Sequence, residues 1–273
     1  MGFKTFINPK ACMNKTQYLA LLAALAVFLA LYLGFDTKPP AQKAVERSRT
    51  IQGESTSFDA LLDAAIAGME SGQLSGFQAL KQQLEQVSSD TAKISALKQL
   101  SAWWYAQGNL PVAGGFAEQV AELENADTAW SIAGATFYLA LSNSQETNVR
   151  QYCGAHAVKA FESAISLNPG RVEHRVNLAL VYAENPPPDN PMQAVLMLRD
   201  LEQKYPDNAS VYNALGRLAI KTGQWDRAVE RLEKSWSLDK NNPFTPCLLT
   251  KAYQGAGKQD KAAEFAALCN QNK

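Results

Sequence analysis

A 34-residue period restricts this chain more than any other feature. Ala194, Ala228 and Ala262 are spaced by 34, as are Leu198 and Leu232, Leu215 and Leu249, and Gly223 and Gly257. A fixed spacing of that size marks a chain of similar units stacked side by side, none of which buries an apolar face alone. Pro169, Pro206 and Pro243 fall between the units, where a helix must end or begin. Gly223 and Gly257 supply backbone positions that tolerate a left-handed helix cap.

Two consecutive segments carry the fullest pattern. VYNALGRLAIKTGQWDRAVERLEKSWSLDKNN holds Leu215-Gly216, Ala219, Gly223, Ala228, Leu232 and Ser235; TPCLLTKAYQGAGKQDKAAEFAALC holds Leu249, Tyr253, Gly257, Ala262 and Ala266. These residues resemble the tetratricopeptide repeat (TPR) family. The resemblance implies an all-α fold, a right-handed α-solenoid of antiparallel helix pairs, helix A then helix B. Small residues at Gly216 and Ala228 then let A and B approach closely, and Leu215, Leu218 and Leu232 fill the space between neighbouring repeats. In the family register, five repeats occupy 94–126, 127–171, 172–208, 209–242 and 243–273. The third has its inter-helix turn lengthened by Asn185-Pro186-Pro187-Pro188. In the second, an insert around SNSQETNVRQYCG stretches the turn or extends both helices. Residues 58–93 match poorly and are expected to be N-terminal capping helices, which a solenoid needs.

The N-terminus has a different character. Residues 18–35, YLALLAALAVFLALYLGF, hold no charge, and as a helix they would be about 27 Å long, close to the hydrocarbon thickness of a bilayer. Tyr18, Tyr32 and Phe35 sit near the segment's ends, where aromatic rings prefer the membrane interface. Residues 1–17 carry Lys4, Lys10 and Lys15 and no acid, so the positive-inside rule makes them a cytoplasmic tip. The apolar core is longer than that of a cleavable signal peptide and ends in a poor cleavage site, which favours a retained signal anchor. Met13-Asn14-Lys15 also reads as a start. Residues 36–57 are polar, without apolar periodicity, and are expected to be a flexible linker. The expected location is a bacterial inner membrane, single-pass, with the solenoid in the periplasm. The zero net charge is therefore a sum over two sides of a membrane, and residues 36–273 carry −3. That balance argues against a nucleic-acid binder.

Catalytic chemistry finds no convergent set of residues. The two histidines, His156 and His174, sit in no HExxH pattern, and CxxCH is absent. Cys153 and His156 are two ligands where a closed zinc site needs four, so the segment reads as a plain insert with a helix start. Gly255-Ala256-Gly257-Lys258 lacks the spacing of a phosphate loop and reads as an inter-helix turn. No enzyme activity, metal or cofactor is expected.

The resemblance also implies a working surface, the concave groove lined by the A helices. The family's groove positions fall on Lys98, Ala102 and Tyr105; Ser131, Ala135 and Tyr138; Val176, Leu180 and Ala183; Asn213, Arg217 and Lys221; and Cys247, Lys251 and Gln254. Arg217, Lys221 and Lys251 make its C-terminal half cationic, suited to an extended peptide or its carboxylate. The apolar third repeat breaks the clamp of chaperone-binding TPR domains. In the family's antiparallel pair the start of A faces the end of B, so Cys247 and Cys269 are placed for a disulfide in an oxidising compartment. The expected function is a membrane-anchored adaptor or scaffold for a partner polypeptide. The layout resembles TPR subunits of cytochrome c biogenesis. The alternatives are a self-associating anchor, or an import-receptor-like protein with a cytosolic solenoid.

Overall fold

The local signals for helix are dense. Ser57, Ser89, Asn109 and Asn208 each accept a hydrogen bond from a backbone N–H three residues on, capping the helices that follow them. Gly108, Gly223 and Gly257 have φ of +78°, +69° and +73° and close three helices with the same backbone pattern. In each, the residue after the glycine donates to a carbonyl five residues back: Asn109 to Trp104, Gln224 to Ala219 and Lys258 to Tyr253.

The computed structural model describes residues 56–271, with Lys15, Tyr18, Leu19, Leu21, Leu22, Ala24 and Leu25 as helical residues before them. The tip 1–17, the apolar segment 18–35 and the linker 36–57 therefore lie almost wholly outside the described residues. Among those described, no helix is long and apolar enough to cross a membrane.

Among the described residues, twelve helices make up the unit that follows residue 52. They are α1 (Phe58–Ala67), α2 (Ser71–Gln86), α3 (Asp90–Ala106), α4 (Leu110–Glu124), α5 (Asp127–Asn143), α6 (Thr147–Leu167), α7 (Val172–Glu184), α8 (Gln193–Lys204), α9 (Ala209–Lys221), α10 (Trp225–Leu238), α11 (Thr245–Gly255) and α12 (Gln259–Gln271). The fold is all-α, and the helices pack as TPR-like pairs. From α3 onward each helix packs on its sequence neighbours, and α5, α7, α9 and α11 also pack in series as the first helices of their pairs. The apolar core is correspondingly a chain of clusters running from Phe77 to Phe265.

Close crossings set the pair geometry. A Cβ on Gly216 would lie 2.5 Å from Leu232 Cγ, and one on Gly134 would lie 2.9 Å from Phe161 Cζ. Gly134 and Gly216 are thus sockets for a large side chain of the partner helix. Leu232 packs inside its own repeat as well as toward Leu249 and Tyr253 of the next.

Polar links tie repeat to repeat. Asp127, opening α5, accepts from Asn168 at 3.1 Å and pairs with the buried His174 at 3.0 Å. Glu173, opening α7, accepts from Asn208. Arg150 donates to the carbonyls of Leu141, Ser144 and Glu184, satisfying the C-terminal ends of both α5 and α7.

One expectation is corrected here, and one open alternative is decided. Cys153-Gly154-Ala155-His156 is no insert with a helix start: it lies in mid-α6, with Cys153 buried and Gly154 packed against Asn185. The surplus residues of 127–171 went into helix, since α5 and α6 have 17 and 21 residues and are joined by three (144–146). Solvation of a long loop is avoided by continuing the helical hydrogen bonds.

Candidate functional site

The first helices of the pairs, α3, α5, α7, α9 and α11, carry every groove position of the sequence reading. The structure sorts those positions into three kinds.

The N-terminal positions form an apolar surface. Ala102 and Ala135 are exposed, Ser131 is half-buried, and Tyr105 is 52 % exposed. Ile132 extends this surface and is 62 % exposed. It escaped the sequence reading, although it lies three residues before Ala135 and so on the same helix face. Lys98 is exposed but pairs with Glu124 at the end of α4.

Two third-repeat positions, Val176 and Leu180, do not line an open surface, which corrects the sequence reading. Val176 and Leu180 are buried in the cluster that joins α7, α8 and α9. Tyr138 of α5 and Arg217 of α9 meet across α7: Arg217 Nη2 donates to Tyr138 Oη at 3.0 Å, and its guanidinium lies 5.7 Å from the ring centroid. Burial pushes the Tyr138 phenol up, Arg217 pulls it down and Glu184 pushes it up again, with a net rise. The phenol is neutral at neutral pH, so it bonds the guanidinium without cancelling its charge.

The C-terminal positions separate the cations. Lys221 Nζ is 2.8 Å from Glu184 Oε2 and donates to the Ala183 carbonyl at 2.7 Å, so its charge is matched internally. Glu184, at the end of α7, was the acid missed from sequence. Its signal was its place beside groove position Ala183, facing the next repeat. Asn213 donates to Thr245 Oγ1 at 2.9 Å and joins α9 to α11. Cys247 does not line the surface: its sulfur is bonded to Cys269 of α12, with the Cα atoms 4.8 Å apart. Lys251 and Gln254 are exposed, and among the described residues Lys251 forms no ion pair.

Both histidines serve packing. His156 Nδ1 is 2.6 Å from Glu118 Oε2, and Lys159 reaches the same carboxylate at 2.8 Å. Burial raises the Cys153 thiol to about 12, keeping it unreactive. Among the described residues no group of three His, Cys, Asp or Glu side chains converges to hold a metal ion.

No family model matches the chain, and no curated protein matches it. Solved structures do. A thermophilic TPR protein of Thermus thermophilus is 18 % identical, covering 66 % of this chain and 91 % of that one, with TM-score 0.49. PilF of Pseudomonas aeruginosa is 16 % identical, covering 68 % and 79 %, with TM-score 0.42. MamA of Desulfovibrio magneticus, from residue 41 to its end, is 16 % identical, covering 66 % and 94 %, with TM-score 0.38. These similarities carry nothing about function.

Proposed function

We propose that the chain is a membrane-anchored scaffold that holds a partner polypeptide against the face formed by α3, α5, α7, α9 and α11. The observation that carries this reading is positive charge with no ion-paired acid among the described residues. Arg217 is half-buried beside a neutral phenol, and Lys251 stands exposed with no acid paired to it among the described residues. A cation held this way gains from an incoming carboxylate, because a charge-assisted bidentate bond replaces a neutral one. The apolar surface of Ala102, Tyr105, Ile132 and Ala135 would take the apolar part of the same partner.

The reading includes a right-handed solenoid whose first-helix face is concave. It also places the solenoid in the periplasm, behind an anchor at 18–35 and a linker at 36–57. What supports that placement is the lysine-only tip, the uncharged apolar segment and the cysteine pair of α11 and α12. A part in assembling exported proteins, c-type cytochromes among them, rests on this layout. Alkaline phosphatase fused after residue 273 should be active in a bacterial host. An inactive phosphatase with an active cytosolic reporter at the same site would reverse the topology.

The binding claim is tested by photo-crosslinking from position 132 in cells, which leaves Arg217 and Lys251 in place, with the captured protein identified by mass spectrometry. The Arg217→Ala, Lys251→Ala double variant should lose capture from a probe at position 132 while keeping its helicity. Unchanged capture by that variant would move the site elsewhere.

A further inference from the structure

Two cations of α9 stand one turn apart and meet different fates. Arg217 has no ion-paired acid among the described residues, and its printed partner is the neutral phenol of Tyr138. Lys221, about 6 Å further along the helix axis, holds Glu184 of α7 at 2.8 Å. Its ammonium also donates to the Ala183 carbonyl at 2.7 Å, so Lys221 is tied to the end of α7 twice.

The acid is the exposed weakness of this arrangement. Glu184 is the last residue of α7, where the helix dipole disfavours a negative charge. Its side chain is only 25 % exposed, so water screens it poorly and it needs a cation. Arg150 is close by but donates to the carbonyls of Leu141, Ser144 and Glu184 itself. Those bonds fix the end of α7 and leave the carboxylate to the cations of α9. Glu184 also acts where Arg217 is bound. Burial raises the Tyr138 phenol, Arg217 opposes the rise and Glu184 adds to it, so the field of the carboxylate reaches the group that Arg217 bonds. Without Lys221, Arg217 is the next cation along the same face of α9. Its guanidinium fork suits a carboxylate better than an ammonium does.

We propose that Lys221 is a positioning residue: by holding Glu184 it keeps Arg217 open for a carboxylate of the partner, without touching the partner itself. This rests on the binding reading above and sharpens it. Of the cations that sequence places on this face, Arg217 and Lys251 meet the partner's acid, whereas Lys221 neutralises an acid of its own chain. Loss of Lys221 would then silence Arg217 by giving it an internal counter-ion. A Lys221 that merely offsets the helix dipole at Glu184 would leave Arg217 unchanged.

The experiment reads Arg217 directly, with no partner present. The full chain in mild detergent is treated with phenylglyoxal, which modifies free guanidinium groups, and modification at position 217 is timed by mass spectrometry. Lys221→Gln keeps a donor for the Ala183 carbonyl but drops the charge. It should slow modification about fivefold, as a partly exposed ion pair forms between Arg217 and Glu184. Adding Glu184→Gln should restore the wild-type rate, because the captured acid is gone. Lys221→Arg, which still pairs with Glu184, should keep that rate. Circular dichroism of each variant checks that its helicity is retained. Equal rates in the wild type and Lys221→Gln would overturn the proposal, as would a slow rate that persists after Glu184→Gln is added. A slowed Lys221→Arg would overturn it too. The binding reading is judged separately, by capture from position 132 in cells. Capture should fall in Lys221→Gln and return in the double variant. Modification in the expected order with constant capture would refute the partner site at Arg217 and uphold Lys221 as the holder of Glu184.

Discussion

A single methylene group decides how closely two helices of a pair can cross. At Gly216 an added Cβ would fall 2.5 Å from the branch carbon of Leu232, a side chain with no free end to swing aside. Gly216→Ala is therefore expected to cost about 1–3 kcal/mol, as overpacked cores do. The cost should be non-additive with Leu232→Ala, since the second truncation makes room for the first. Urea denaturation of the two single variants and the double variant measures this coupling. Glu118 gives a second residue-scale prediction. Burial pushes its carboxyl up, but hydrogen bonds and attraction from His156 and Lys159 outweigh burial and hold it below the ordinary value of 4.5. A lowered folded value means the carboxylate stabilises the fold above the unfolded value, and that contribution disappears as pH falls through the folded one. Thermal midpoints of the wild type should drop across that acid window. Glu118→Gln should show a shallower drop, with a lower midpoint at neutral pH.

At the scale of elements, the two within-pair turns from α3 onward that lack a left-handed glycine needed another means of closing a helix. Arg150 supplies it, bonding the ends of α5 and α7 from one guanidinium. Arg150→Ala should cost roughly 1–3 kcal/mol, because part-buried carbonyls at two helix ends lose a charged donor. Arg150→Lys should recover little, since one ammonium lacks the fork that reaches both ends. Circular dichroism melts distinguish the two variants from wild type. This also shows where sequence reasoning stopped. Gly223 and Gly257 announced their turns because a positive φ needs glycine, and the recurring alanines and leucines announced the pairs they pack. Nothing in SNSQETNVRQYCG indicates that Arg150 will reach Glu184, 34 positions on, because that contact exists only once α5 and α7 are side by side. The groove was legible as a set of positions but not as a surface. Helical register puts Leu180 and Arg217 on equivalent places, yet Tyr138 and the α8–α9 packing bury one and leave the other half-exposed. The packing of α1 on α4 was illegible too, since its apolar spacing is equally compatible with a partner at α2.

For the whole stack, what matters is that repeats from α3 onward touch mainly their neighbours. Stability in such an array is a sum of local terms, so a perturbation at one end should stay there. The C-terminal end is the sharper case, because among the described residues no further pair covers α12. Its cohesion with α11 draws on Ala262 and Phe265 and on the disulfide between Cys247 and Cys269, which closes a loop across 22 residues. A loop of that size contributes roughly 3 kcal/mol in the chain-entropy account. Reduction with a thiol should therefore speed amide hydrogen exchange in α11 and α12. The effect should fade through α10, which is held to α11 by the Tyr253–Glu233 bond, and leave α5 and α6 as protected as before. Equal loss of protection in α5 and α6 would mean that the stack opens as one cooperative body, and that neighbour contacts alone do not describe it.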